Sequence, residues 1–253
     1  ASKANRQIDW DRMYAVNRSA AEQGDETLYY QERRHNNQMV ATFNTIFNQE
    51  INKHNKYALG LQYNFTKGMH YKTLADMLGG NSFTDYDKFA ANEYGRDSQE
   101  AQNDLNNPNR KVGVDDKFGY NYNILVNKAR AYGLYQYNGN HWQWNAQGFA
   151  EGTTMQREGL MKNGRAANNS FGKSGTAKFL GGGGRMGVNY RPNGAHTLAL
   201  SIGAESNAPL ARNAGVAPRM QNDFVNNLTN VDIYHADLSY TFRFGNFSGK
   251  VSG

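Results

Sequence analysis

A chain of 253 residues can form one large or two ordinary domains, and a mean hydropathy of −0.83 with only short apolar runs excludes a membrane-spanning helix. It does not exclude a transmembrane β-barrel, whose strands need only alternate residues apolar over about 9–11 positions. The net charge of +6 is spread thinly, which sets nucleic-acid binding aside, and the lack of cysteine removes disulfides, thiolate metal clusters and thiol nucleophiles.

Taken in chain order, residues 1–17 are polar, contain no signal peptide and read as the tail of a loop. A first strand over 27–51, its early part standing above a membrane, carries a loose alternation of Met39, Ala41, Phe43, Phe47 and Ile51. Turn residues Asn52-Lys53-His54-Asn55 lead into a second strand at 55–69. There Tyr57, Leu59, Leu61, Tyr63 and Phe65 alternate with Ala58, Gly60, Gln62 and Asn64, the period of a strand and not of a helix. A long element at 117–138 either projects beyond a bilayer or holds a bulge near Asn127-Lys128, where the apolar register falters.

Strands at 141–157, 176–191, 196–207 and 232–244 follow, with the start of another at 247–253. Trp142, Trp144 and Ala146 oppose Gln143, Asn145 and Gln147, while Leu198, Leu200, Ile202 and Ala204 oppose Thr197, Ala199, Ser201 and Gly203. Tyr234, Ala236, Leu238, Tyr240, Phe242 and Phe244 oppose Ile233, His235, Asp237, Ser239, Thr241 and Arg243. The fold class is all-β, with about eight strands. Short joins at 52–55, 138–140, 192–194 and 245–246 alternate with long ones at about 70–116, 158–175 and 208–231, the asymmetry of periplasmic turns and extracellular loops. Aromatics near the strand ends fit a membrane interface. The alternative is a soluble or surface-exposed all-β ligand- or glycan-binding module, in which the Tyr/Leu/Phe faces pack on a second sheet. A barrel-embedded hydrolase is a weaker third possibility.

Three stretches carry a resemblance. They are Gly68-Met69-His70-Tyr71-Lys72-Thr73-Leu74-Ala75-Asp76-Met77-Leu78-Gly79; Gln102 to Arg110 with Asp116-Lys117-Phe118-Gly119-Tyr120-Asn121-Tyr122; and Met161 to Ala166 with Asn169-Ser170-Phe171-Gly172-Lys173. Over most of 27–253 the sequence resembles TonB-dependent outer-membrane receptors of the Bacteroidetes type. The resemblance implies an antiparallel up-and-down transmembrane β-barrel of 22 strands around a plug, taking up a scarce nutrient. On that basis residues 1–253 are part of one barrel domain, a fragment of about eight strands without plug or TonB-contacting segment. The implied location is the cell outer membrane. The implied partners are outer-membrane lipid, a nutrient ligand and the TonB complex through the missing N-terminal region, and a surface lipoprotein lid is left open. The family offers no catalytic residue to carry over, and no cofactor or metal is expected.

Candidate ligand-contacting residues are the lumen-side Gln62, Asn64, Gln143, Asn145, Asp237 and Arg243 and the loop residues Asn103, Asp104 and Arg110. For the loop trio, turn-locking and a salt bridge are the stronger alternative. Gly181-Gly182-Gly183-Gly184-Arg185 runs on into a strand, so it lacks the helix start that a phosphate cradle needs. The six histidines fall in separate segments without metal-ligand spacing. His235 and Ser239 share a face but lie about 13 Å apart along a strand, too far for a nucleophile and base.

Overall fold

Residues 7–253 are described by a computed structural model; the first six residues of the polar lead lie outside the described part. Nine strands form: β1 Gln31–Asn52, β2 Asn55–Asp76, β3 Lys117–Asn138, β4 Trp142–Gly159, β5 Gly172–Lys173, β6 Ala177–Asn193, β7 His196–Asn207, β8 Val231–Phe244 and β9 Phe247–Ser252. They make one antiparallel sheet in the order β1-β2-β3-β4-β6-β7-β8-β9, with the two-residue β5 pairing only β4. The sheet is open, with β1 and β9 as its edges. Neighbours in sequence are neighbours in space, so every short turn falls at one end and every long loop at the other. Asx turns set the short end: the Asn52 side chain accepts from the His54 and Asn55 amides at 2.9 and 3.1 Å, and Asn193 does the same for Ala195 and His196.

The pairing register sorts side chains onto two faces. Leu59 lies opposite Phe47 and Gly133, Trp144 opposite Tyr137 and Val188, and Leu200 opposite Val188 and Leu238. Since a strand alternates its side chains, these matches put the apolar sets of all the long strands on a single face. No second sheet covers that face among the described residues; Leu61 is 58% exposed and Leu200 46%. No helix is long and apolar enough to cross a membrane.

The buried apolar clusters lie instead in a layer over the long-loop end. One joins Leu74, Phe83, Val112 and Phe118 with Tyr30 and Met77 against it; the other joins Met155, Phe179 and Ala214. Three short helices belong to this layer: α1 Trp10–Glu22, α2 Lys88–Tyr94 and α3 Ala211–Ala214. The expected loop tail over 1–17 is therefore corrected within 10–17. Asp9 caps α1 by accepting from the Arg12 amide at 3.0 Å, and Asn17 supplies the helix's hydrogen bonds to the rest of the layer while Ala20 is buried beside it. Fully buried Asn17 donates to the Tyr29 and Met77 carbonyls, both at 2.7 Å, and accepts from the Leu28 and Tyr29 amides.

The expected bulge near Asn127-Lys128 is absent. Asn127 pairs without interruption with Phe65 and Thr154, and Lys128 with Asn64 and Thr153. The apolar pattern falters there because the strand leaves the apolar band. Asn127 accepts from the Tyr63 hydroxyl at 2.7 Å on one face, while Lys128 pairs with Glu151 at 2.8 Å on the other. The register shift lies higher, between Tyr71 and Lys72, where Gly119 (φ 74°) and Tyr120 are left out of the ladder.

Candidate functional site

The face opposite the apolar one is polar and charged. At mid-height a groove of about 570 Å³ crosses it, touched by Ile46 of β1 at one side and His235 of β8 at the other. Arg130, Tyr132, Phe149, Arg185 and Glu205 supply most of its chemistry. The Arg130 guanidinium carbon lies 3.6 Å from the centre of the Phe149 ring, and Arg185 Nε donates to Ser201 Oγ at 3.0 Å. Both signs of charge therefore sit in one trough, which suits a polar surface or a zwitterionic solute and favours neither cation nor anion.

Two glycines shape this face. Gly60 lies directly opposite Tyr132, whose ring covers it: a Cβ there would fall 2.2 Å from Tyr132 Cζ. Gly203 and His235 form the same pair, with a Cβ 2.1 Å from the imidazole. The rings lie flat across the sheet only because nothing stands beneath them. Gly60→Val is expected to force Tyr132 out of the groove and destabilise the folded protein by about 1–3 kcal/mol of overpacking, read as a lower denaturation midpoint. Tyr132→Ala in the same chain should restore most of the loss, and a midpoint that stays low in the double variant would point to backbone strain instead.

All six lumen-side candidates fall on this polar face, but the fold does not gather them. Gln62 and Asn64 are on β2, Gln143 and Asn145 on β4, and Asp237 and Arg243 on β8. Asn64 accepts from the Thr42 hydroxyl at 2.7 Å, and none of the six lines the mid-height groove. The groove residues obey the same alternation rule. Extending it from Gln62 to its cross-strand partner Arg130, or from Gly203 to Glu205, would have found them.

The three loop candidates turn inward. Asn103 and Asp104 are buried. Asn103 donates to Asp85 at 2.7 Å, and Arg110 pairs with the same carboxylate at 3.2 Å while also donating to the Lys117 carbonyl. Asp104 accepts from the Asn106 and Lys162 amides at 3.1 and 3.0 Å, tying the loop after β2 to the loop after β4. Their observed role is to lock loops, with Asp85 at the centre. That residue was missed because nothing in its sequence neighbourhood distinguishes it.

A second carboxylate ties the layer. Glu26 meets Lys111 at 2.7 Å and Arg96 at 2.6 Å and accepts from Thr84. Burial pushes its pKa up, but these three partners outweigh that and hold it below its ordinary 4.5. A group depressed in the folded state stabilises it above the unfolded value, and that contribution fades as pH falls through the folded one. Amide exchange in residues 77–116 should therefore accelerate as pH drops below 4.5, after correction for intrinsic rates, and Glu26→Gln should flatten that dependence. Identical pH profiles for the two proteins would remove Glu26 from the explanation.

Among the described residues no group of three or more His, Asp or Glu side chains is arranged to hold a metal ion. Comparison with protein-family models, with curated proteins and with solved structures gives no match.

Proposed function

We propose that this chain forms wall and surface loops of a transmembrane β-barrel that imports a solute across the outer membrane. The observation that carries the proposal is the apolar face. From the level of Asn37, Lys67, Lys178 and Asp232 down to the short turns, the outward residues of all the long strands include no Asp, Glu, Lys or Arg. In β8 this stretch runs from Tyr234 to Phe244, ten steps of about 3.3 Å; tilted about 40°, it spans about 25 Å, the height of the apolar band of an outer-membrane barrel.

The short-turn end of the same face carries an aromatic belt. Phe47 and Tyr57 lie 6.1 Å apart, Tyr135 and Trp144 5.1 Å, Trp142 and Tyr190 4.4 Å, and Phe242 and Phe247 5.9 Å. Such rings favour the headgroup level of a bilayer. A soluble sandwich would cover this face with a second sheet, and an exposed apolar surface of this extent in water would promote association. The free backbone edges of β1 and β9 fit a wall that continues into further strands and closes. Dependence on the TonB complex rests on the likeness of the loop sequences to the Bacteroidetes receptors, with the nutrient and outer-membrane lipid as the remaining partners.

The test is fractionation of the source cell, with an antibody to this segment and samples run with and without boiling. A heat-modifiable band in the outer membrane supports the transporter. A soluble band whose mobility ignores boiling overturns it and favours the β-rich binding module.

A further inference from the structure

We propose that the roofed upper end of the polar face is a binding site for an organic anion, a carboxylate or phosphate head on a compact, partly apolar body. The proposal rests on the transporter reading and narrows its solute. The loop between β7 and β8 does not project outward. It folds back over the polar face toward β1, β2 and β3 and partly covers an open recess of about 660 Å³. Cavities of this size suit small molecules.

The chemistry of the lining is one-sided. Arg212 and Arg219, both solvent-exposed residues of the loop between β7 and β8, line it on one side, and His70 lines it from β2. No carboxylate lines the cavity, unlike the mid-height groove with its Glu205. Several cations of the loop layer are matched: Arg110 with Asp85, Arg96 and Lys111 with Glu26, Lys72 with Glu32. Among the described residues neither Arg212 nor Arg219 has such a partner. Guanidinium groups left unpaired beside a cavity attract an anion and can bind it bidentately.

The rest of the lining positions these charges and sets the body of the ligand. Arg219 lies over the Tyr120 ring at 5.0 Å, and His70 stacks on Tyr122 at 4.9 Å with its Nδ1 held 2.9 Å from Asn36 Oδ1. Ile124, Val126 and Pro218 form an apolar floor and rim. Asn36 and Gln38 add neutral hydrogen-bonding groups. The cavity lies on the face turned away from the apolar band, so the anion comes from solution and not from lipid.

The experiment uses the full-length protein purified in detergent and compares 3-phenylpropionate and phenyl phosphate with neutral 3-phenylpropanol by calorimetric titration. Both anions are expected to bind, the alcohol about tenfold or more weakly, and added salt to weaken the anions alone. The double variant Arg212→Gln/Arg219→Gln should lose about tenfold or more in anion affinity while keeping its heat-modifiable mobility. Equal binding of the alcohol, no binding by either anion, or an unchanged affinity in the double variant would overturn the proposal. Because heat-modifiability and membrane location are measured on the same preparations, a protein that keeps both but ignores the anions refutes this site alone. A soluble protein refutes the transport reading whatever it binds.

Discussion

Leu200→Arg is expected to prevent assembly of the protein into the outer membrane, whereas Ala199→Arg, one residue away, should assemble nearly as well as the parent. Leu200 sits at the centre of the outward face, flanked by Val188 on β6 and Leu238 on β8. Ala199 points the other way, between Asn189 and Ser239. An arginine facing lipid at the middle of a barrel wall costs about 2–4 kcal/mol, while one facing a watery lumen costs little. The measure is the fraction of heat-modifiable protein in the outer membrane, followed by a denaturant titration of what assembles. If the apolar face were open to water, Leu200→Arg would be a surface change worth within about 0.5 kcal/mol, and the two variants would behave alike. Equal assembly of the two would therefore sink the membrane assignment of this face.

That contrast also shows why so much of the sheet was readable from sequence. A strand writes its two faces into alternate residues, and Asn-rich turns such as Asn52 to Asn55 punctuate it, so eight strands and their order follow from local information. What was unreadable is held together by contacts without a period. Asn17 grips Tyr29 and Met77, and Asp85 gathers Asn103, Arg110 and the Gly119 amide from three separate stretches. No local pattern announces such residues. Asn103, Asp104 and Arg110 drew notice as a polar cluster on a loop, which describes a buried latch as well as a binding site. The lumen candidates were limited differently. Alternation tells which face a residue is on but not which residues across eight strands share a level, so it marks Gln62 without marking its partner Arg130. The upper cavity was beyond reach for a third reason, because it needs the loop between β7 and β8 to fold back over β1, β2 and β3.

One buried cation ties that loop both to the sheet and to the loop after β4, and its loss should open the layer. Arg157, near the end of β4, is 4% exposed and has no carboxylate beside it. Its Nε donates to the Pro218 carbonyl at 2.7 Å, and its Nη1 donates to the Ser170 carbonyl at 2.8 Å and to Asn222 Oδ1 at 2.5 Å. The guanidinium also lies 5.1 Å from the Tyr122 ring. Two loops that do not follow one another in sequence, after β4 and after β7, are thus fastened to the sheet by one side chain. Charged hydrogen bonds contribute about 1.5–3 kcal/mol each, and removing the donor leaves acceptors unpaired, so Arg157→Ala should destabilise the two loops by on the order of 3 kcal/mol or more. The wall beneath is paired independently through its ladders and should persist. Amide exchange and limited proteolysis would show faster opening across 160–176 and 208–230, with the strands still protected and the unboiled band unchanged. Arg157→Lys should recover only part of the protection, since one ammonium cannot reproduce the planar fork that reaches Pro218 and Ser170 together. If protection in both loops survives Arg157→Ala, the roof is held by the apolar contacts of Met155, Phe179 and Ala214, and the guanidinium is a passenger.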